Sequence, residues 1–321
     1  MQCGYRSSRV EGQTKAALTL AAAVMFLNEE RLLPRLLASL AKQTRTPELL
    51  LLVDDGSEDG SAHLAREFAE SHSYTQLLSR PQQARSADRL AGAAELIGFQ
   101  WALAQSTRIG DDRQYDLVAK LDADLELPPD FFARIVDAFE SDPMLGISGA
   151  SLAVASANGS VSTEFSQPWH VRGATKFYRR ACWEQIEPLP PILGWDTIDE
   201  ARAQLNGWRV EAASFLNSPP VHLRPTGSHD GDLRGFRRRG AAAWGYGAHP
   251  LNVLASALLR MRHRPRLVGG LAYLGGWLGA ALRGAPRAEP AVLNFMQRGQ
   301  VERMQAFLMR PRPRTGTGAA R

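Results

Sequence analysis

Apolar and polar stretches alternate along the first half of the chain in the order expected of strands and helices. Apolar runs predict buried strands at residues 17–26, 48–54, 74–79, 116–121 and 145–150. The intervening segments predict helices at residues 29–42, 60–70, 87–105 and 129–140. This alternation predicts an α/β domain with a mostly parallel sheet, in which ligands bind beyond the carboxyl ends of the strands.

The pattern becomes less regular after residue 150. Residues 170–178 predict a strand that runs into a short helix with Arg179 and Arg180, and residues 194–208 predict a helix opened by Asp196. Residues 209–215 predict another strand, and an amphipathic helix is expected near the carboxyl terminus, at residues 291–309.

These predictions divide the chain into a structured α/β part, a helical extension and two tails. The boundaries are a disordered tail at 1–16, the α/β domain at 17–225, a basic and apolar helical extension at 226–310, and a disordered tail at 311–321.

Composition limits the class of protein. The chain has 321 residues, of which 44% are apolar, and its two cysteines, Cys3 and Cys182, do not suggest a disulfide framework. Scarce cysteine fits a reducing compartment, and no signal-peptide pattern opens the chain, so we expect a cytoplasmic protein.

Charge is unevenly distributed, and this bears on possible partners. The net charge is +5, yet residues 233–288 contain ten arginines and no acidic residue.

The apolar run at 267–282 would form a helix of about 24 Å, shorter than the ~30 Å hydrocarbon core. Its glycines would allow close helix contacts. We therefore expect this extension to lie at the inner face of the membrane or to pack on the α/β domain. Because few stacking aromatics accompany the arginines, nucleic-acid binding is not expected.

Acidic and polar residues follow three of the predicted strands. They are Asn28 to Glu30, Asp54 and Asp55, and the pair Asp122 and Asp124. Residues two apart at a strand end can face one cation, and carboxylate oxygens suit Mg²⁺ or Mn²⁺. Such an ion would also neutralise a bound diphosphate. The sequence therefore predicts a metal-assisted site at this sheet edge, although Asp-x-Asp by itself also occurs in turns.

Three motifs occur in order: FLNEE (26–30), VDDGSEDGS (53–61) and KLDADLELPPDFF (120–132). Together they resemble the family 2 glycosyltransferases, inverting enzymes with a GT-A fold, and the resemblance covers roughly residues 17–225. It implies a nucleotide-sugar donor and a glycan or lipid-linked acceptor. The basic extension is similar to the tail of bacterial members that assemble exopolysaccharides or cell-surface glycans. The Gln-x-x-Arg-Trp signature of processive synthases is absent, which indicates transfer of a single sugar.

The resemblance also implies roles for individual residues. Asn28 and Glu30 would lie at the nucleotide pocket, and Asp54 or Asp55 would contact the base. Asp122 would lie near the ribose, the diphosphate and the ion, and Asp124 would bind the ion directly. His222 is a further candidate contact for the metal or diphosphate, with His229 a weaker one.

The catalytic base is expected on the helix at 194–208. The family pattern places an acidic pair before an Arg, which matches Asp196 and Arg202, whereas Trp195 replaces the first acid. Asp196 is the first candidate to deprotonate an acceptor hydroxyl, with Asp199 and Glu200 as alternatives.

A second departure from the family pattern concerns the residues expected to contact the diphosphate. Glu95 and Leu96 precede Gly98 where the family often has a basic residue and an Asn. Arg85 or Arg89 could supply the charge from nearby, and the sequence does not identify which arginine meets the diphosphate. Two other functions remain open: a nucleotidyltransferase on a similar scaffold, which would release pyrophosphate, and a non-catalytic scaffold recruited to the membrane.

Overall fold

A computed structural model describes residues 17–80, 91–106, 114–155, 161–163, 170–213, 218–224, 232–262 and 266–309. Several expectations fall outside these ranges: the two tails at 1–16 and 311–321, the residues Cys3, Arg85, Arg89 and His229, and the ends of the predicted helix 87–105 and strand 209–215.

A seven-stranded sheet forms the centre of the fold. Its strands are β1 (Leu20–Phe26), β2 (Leu49–Asp54), β3 (Thr75–Ser79), β4 (Leu117–Asp122), β6 (Leu145–Ala150), β9 (Thr175–Arg179) and β10 (Arg209–Ala213). The spatial order is β10-β6-β9-β4-β1-β2-β3, and only β9 runs antiparallel to its neighbours. The α/β architecture predicted from the sequence is therefore confirmed.

Both faces of the sheet are covered by helices, which explains the nearly continuous apolar strands. The helices are α1 (Leu33–Leu40), α2 (Ser61–Ser71), α3 (Ala91–Ser106), α4 (Phe131–Ser141), α5 (Arg180–Ile186) and α6 (Trp195–Leu205). Two apolar clusters form the core: Leu20, Val24 and Phe131 belong to one, and Leu51, Phe99 and Trp183 belong to the other.

A small second sheet lies beyond the end of β4. It comprises β5 (Leu125–Glu126), β7 (Ala153–Ala155), β8 (Val161–Thr163) and β11 (Val221–His222), in the order β5-β11-β7-β8. Pairing of β11 with β5 aligns His222 with Leu125, so His222 is brought next to Asp124 from almost 100 residues away.

The described part of the carboxyl-terminal extension contains four helices: α7 (Asp232–Gly245), α8 (Pro250–Arg260), α9 (Val268–Leu282) and α10 (Pro290–Leu308). α7 packs along α9, with Gly240 against the backbone of Tyr273 and Gly276 against that of Arg237. Among the described helices, none combines the length and the apolar character needed to cross a bilayer.

Several predicted boundaries are wrong. α1 begins at Leu33 and not at residue 29, because residues 29–32 form a turn before Pro34 at the start of the helix. β9 begins at Thr175 and not at residue 170. The N-cap of α6 is Gly194, with φ +85°, so Asp196 lies in the first helical turn and does not cap it.

Candidate functional site

A cleft of about 550 Å³ opens at the carboxyl ends of β1, β2 and β4. The strand register brings these ends together, with Met25 opposite Asp122 and Phe26 opposite Asp54. Five of the candidate residues line the cleft: Asp55, Asp122, Asp124, Asp196 and His222.

Asp122, Asp124 and His222 form a compact cluster. One ligand atom from each lies within 4.8 Å of the others, and among the described residues this is the group whose spacing suits a metal ion. Two carboxylates and an imidazole nitrogen are donors that Mn²⁺ accepts, and the carboxylates also suit Mg²⁺. The residues present therefore fit the expected divalent ion.

Asp124 is held between a histidine and an arginine. His222 Nε2 lies 3.1 Å from its Oδ1, and Arg224 Nε donates to its Oδ2 at 3.1 Å. Burial alone would raise the pKa of Asp124, but the hydrogen bonds and charges of His222 and Arg224 outweigh burial and lower that pKa. Asp124 is thus kept as a carboxylate, the form that binds metal.

Asp122 is oriented from within the sheet. Lys120, two residues earlier on β4, donates to Asp122 and, at 2.8 Å, to Glu95 Oε2 on α3. Burial alone would lower the pKa of Lys120, but the charges and hydrogen bonds of Asp122 and Glu95 outweigh burial and raise that pKa. Glu95, which the sequence comparison marked as a departure, therefore lines the cleft and shares the buried Lys120 ammonium with Asp122.

Asp55 and Asp54 occupy different positions although they are adjacent. Asp55 lines the cleft and accepts a hydrogen bond from Arg80 Nη1 at 3.0 Å. Asp54 is buried, and its Oδ1 accepts from the backbone N–H of Ser57 at 2.8 Å. Asp54 therefore fixes the turn that presents Asp55.

Asn28 and Glu30 stand outside the lining of the cleft. Asn28 has a positive φ of 54°, and its Oδ1 accepts from the backbone N–H of Glu58 at 2.8 Å. The exposed Glu30 lies beside Gly60. Both residues join the loop after β1 to the loop after β2.

The three base candidates on α6 differ in exposure. Asp196 is partly exposed on the cleft, whereas Asp199 is 0% exposed and Glu200 is 5% exposed. Lys176 Nζ donates to both Asp199 oxygens at 2.6 and 2.7 Å, and Tyr178 Oη donates to Oδ2 at 2.6 Å. Burial raises the pKa of Asp199 to about 6 against the opposing charge of Lys176. Glu200 accepts from the backbone N–H of Val171 at 2.7 Å.

Four arginines on the cleft were not identified by the motif comparison: Arg172, Arg224, Arg238 and Arg239. The sequence could have identified Arg224, because it follows His222 by two residues and residues two apart lie on the same face of a strand. Arg238 and Arg239 come from α7, and no local pattern relates this helix to the sheet edge.

Comparisons with known proteins show which family and fold the chain shares. The model described as "Glycosyl transferase family 2" matches residues 22–182, half of the chain. Polyprenol monophosphomannose synthase of Mycolicibacterium smegmatis is 32% identical over 124 residues, 37% of this chain and 38% of that protein. Undecaprenyl-phosphate 4-deoxy-4-formamido-L-arabinose transferase of Pectobacterium carotovorum is 36% identical over 116 residues, 34% of this chain and 30% of that protein. The chain thus spans about a third of the length of these relatives.

Solved structures support the fold. Mannosyltransferase PcManGT from Pyrobaculum calidifontis, in complex with GDP-Man and Mn²⁺, aligns with a TM-score of 0.50 at 16% identity, over 92% of this chain and 81% of that chain. S. aureus TarS 1-349 in complex with UDP also has a TM-score of 0.50, at 15% identity, over 83% and 72% of the two chains. The GT-A fold expected from the sequence is confirmed, and the chain belongs to glycosyl transferase family 2.

Proposed function

We propose that this protein is a metal-dependent inverting glycosyltransferase that moves one sugar from a nucleotide-diphosphate sugar to a glycan or lipid-linked acceptor. The observation that carries the proposal is one cleft lined by both the Asp122, Asp124 and His222 cluster and the carboxylate of Asp196. The donor's phosphates need a cationic end of the cleft, and the acceptor needs a base.

The donor end consists of the metal cluster and its neighbours. Asp122, Asp124 and His222 would hold the ion, which when bound would neutralise the diphosphate and stabilise the departing nucleoside diphosphate. Arg224, hydrogen-bonded to Asp124 and paired with Glu29, fixes the Asp124 carboxylate. We assign Asp55 to the nucleoside and keep Asn28, Glu30 and Asp54 as residues that shape the surrounding loops.

Asp196 is our choice for the base. It would accept the proton of an acceptor hydroxyl while that oxygen attacks the anomeric carbon, which inverts the configuration. Asp199 and Glu200 suit a structural role better because both are buried and paired with Lys176. Both carboxylates contact the Lys176 ammonium inside the fold, so neither is positioned to meet a substrate.

An activity assay of the purified chain tests this assignment. Nucleotide sugars would first be screened with Mn²⁺ or Mg²⁺ for donors that raise the melting temperature. Asp196→Asn should then lower kcat by about 10²–10⁴-fold and leave donor KM nearly unchanged. Asp137→Asn, at an exposed site on α4, is the control and should keep parental kcat.

Two results would contradict the proposal. Release of pyrophosphate in place of a nucleoside diphosphate would identify a nucleotidyltransferase. A parental kcat in Asp196→Asn would remove Asp196 from the mechanism.

We further propose that the extension binds the inner face of the cell membrane, in a cytoplasmic protein that acts in surface polysaccharide assembly. α8 and α9 expose a series of apolar side chains: Leu251, Leu254, Leu258 and Leu259 on α8, and Val268, Leu271, Leu278 and Leu282 on α9. The charged residues of this region are arginines. Lipid acyl chains would surround the apolar side chains, and anionic headgroups would bind the arginines.

Vesicle co-sedimentation tests membrane binding. The parent should sediment with vesicles that contain anionic phosphatidylglycerol, and the double variant Leu254→Ser and Leu271→Ser should sediment markedly less. Leu205→Ser, at a 47% exposed leucine of α6, is the matched control. Equal sedimentation of all three proteins would argue against this face.

A further inference from the structure

Glu95 places a carboxylate on the cleft where the family often has a basic residue. It belongs to α3, lines the cleft, and has a side chain that is 38% exposed. Its Oε2 accepts a hydrogen bond from the buried Lys120 ammonium at 2.8 Å, and Lys120 also donates to Asp122. Glu95 is therefore linked to the proposed metal cluster through one shared ammonium.

The next turn of α3 approaches the other end of the donor site. Gly98 follows Glu95 by three residues, so the two lie on the same side of the helix, about 4.5 Å apart along its axis. A Cβ atom built on Gly98, which lines the cleft, would lie 3.9 Å from Nη1 of Arg80. That same Nη1 donates to Asp55 at 3.0 Å. α3 thus extends from the residue assigned to the nucleoside to the metal cluster.

This placement puts Glu95 beside the middle of a bound donor. A nucleoside diphosphate has its ribose between the base and the phosphates. With the nucleoside base at Asp55 and the phosphates at the metal cluster, the ribose lies alongside α3. Glu95 is the polar side chain among the described α3 residues that line the cleft, which are Ala94, Glu95 and Gly98.

The chemistry of a carboxylate suits ribose and does not suit phosphate. A carboxylate accepts hydrogen bonds and donates none, so Glu95 cannot bind phosphate oxygens as a basic residue would. Ribose hydroxyls are donors, and an acidic side chain binds a ribose hydroxyl in dinucleotide-binding folds. The two oxygens of a carboxylate offer about four acceptor sites, so the hydrogen bond from Lys120 leaves capacity for hydroxyl groups.

We propose that Glu95 accepts hydrogen bonds from the 2′- and 3′-hydroxyl groups of the donor's ribose and makes the site selective for ribonucleotides over deoxyribonucleotides. This assignment rests on the proposed function, because the base at Asp55 and the ion at Asp122 fix the direction of the nucleotide. It makes a position at which the chain departs from the family pattern a determinant of donor selectivity.

Isothermal titration of the full chain in the presence of Mn²⁺ tests the role of Glu95. The ligands are UDP, GDP and ADP, each with its 2′-deoxy and 3′-deoxy counterparts, and the quantity compared is the Kd of a deoxy form divided by the Kd of the ribo form. The test variant is Glu95→Ala. Glu95→Gln is a second variant that keeps the size of the side chain and can still accept from Lys120. The control is Glu70→Ala, which removes the same charge from an exposed position of α2.

The expected change is in the ratio of the two Kd values. For the ribonucleotide that the parent binds most tightly, at least one deoxy form should bind at least about tenfold more weakly, because a hydrogen bond to a charged acceptor is lost. The ratio should fall to within about twofold of one in Glu95→Ala, fall below the parental ratio in Glu95→Gln, and stay parental in Glu70→Ala. A side chain that only positioned Lys120 would weaken the ribo and deoxy forms by the same factor and leave the ratio unchanged.

Three results would overturn the assignment: a parent that binds the ribo form and both deoxy forms equally, a parent that binds dTDP more tightly than every ribonucleotide, or a Glu95→Ala variant that keeps the parental ratio. If Glu95→Ala does not fold, the ratio in Glu95→Gln decides in its place. Failure of the parent to bind any nucleoside diphosphate with Mn²⁺ would instead count against the proposed function, so the two failures are distinguishable.

Discussion

At the scale of single residues, the site depends on two lysines buried side by side in the sheet. Lys120 and Lys176 pair in register across β4 and β9, and both are 0% exposed. Lys120 contacts Glu95 and Asp122, and Lys176 contacts Asp199 and Glu200. The Trp195 ring lies 5.9 Å from one ammonium nitrogen and 5.6 Å from the other. These networks fix Asp122 and the first turn of α6 before any ligand binds.

Lys176→Met should destabilise the fold strongly. The substitution keeps the apolar stem but leaves Asp199 and Glu200 as buried carboxylates without their cation, a loss of about 3–5 kcal/mol. Urea unfolding monitored by circular dichroism would measure it, with the exposed Lys42→Met as control. A loss no larger in Lys176→Met than in Lys42→Met would show that this ion network does not stabilise the fold.

The sequence identified the acids of the cleft better than their partners. Asp122, Asp124 and Asp55 could be placed because parallel strands end at one edge. Sequence alone could not distinguish the role of Asp199 from that of Asp196, because the partner of Asp199 is Lys176 on β9. The strands beside β9 follow from the order of strands in the sheet, which the sequence does not specify. The roles of Arg224 and Lys120 likewise depend on contacts between distant segments.

At the scale of elements, the strands of the large sheet were predicted, whereas the strands of the small sheet were missed. β5 and β11 have two residues each, and β7 and β8 have three each. These strands are too short to show an alternating pattern of apolar and polar residues. Yet this small sheet positions His222 beside Asp124. The extension was predicted as helical, but its packing against the cleft depends on contacts between segments that lie far apart in the sequence.

Neighbouring glycines of α9 should respond oppositely to alanine. A Cβ at Gly276 would lie 2.0 Å from the carbonyl oxygen of Arg237, so Gly276→Ala should force α7 and α9 apart and cost about 1–3 kcal/mol. A Cβ at Gly275 would meet nothing within 4 Å, so Gly275→Ala should leave stability unchanged or raise it by up to about 1 kcal/mol. Thermal unfolding of both variants checks this, and equal melting temperatures would contradict the α7–α9 packing.

At the scale of the whole molecule, an ion pair joins the α/β domain to the extension. Arg202 on α6 donates to both oxygens of Glu289, at 2.7 and 3.1 Å, directly before α10. The hydrogen bond from Arg202 lowers the pKa of Glu289 despite partial burial. The contribution of this ion pair to the stability of the fold is therefore complete above the ordinary glutamate pKa of 4.5. It is lost as pH falls through the lower pKa that Glu289 has in the folded state.

The parent should consequently lose more stability on acidification than Glu289→Gln does. The difference should develop below about pH 5 and stay under about 1 kcal/mol, because Glu289 is partly exposed to solvent. Urea unfolding of both proteins at pH 7 and at pH 3.5 measures it. Parallel losses in the two proteins would show that the pair does not couple the extension to the domain.

The central claim is that Asp122 and Asp124 hold a divalent ion against a nucleoside diphosphate. Isothermal titration of UDP, GDP, ADP and dTDP, with Mn²⁺ and with excess chelator, tests it most directly in the parent, Asp124→Asn and the control Asp137→Asn. We predict saturable binding of one nucleotide by the parent and the control that needs Mn²⁺ and is at least about tenfold weaker in Asp124→Asn. Nucleotide binding that is equal without the ion, or unchanged in Asp124→Asn, would contradict the account.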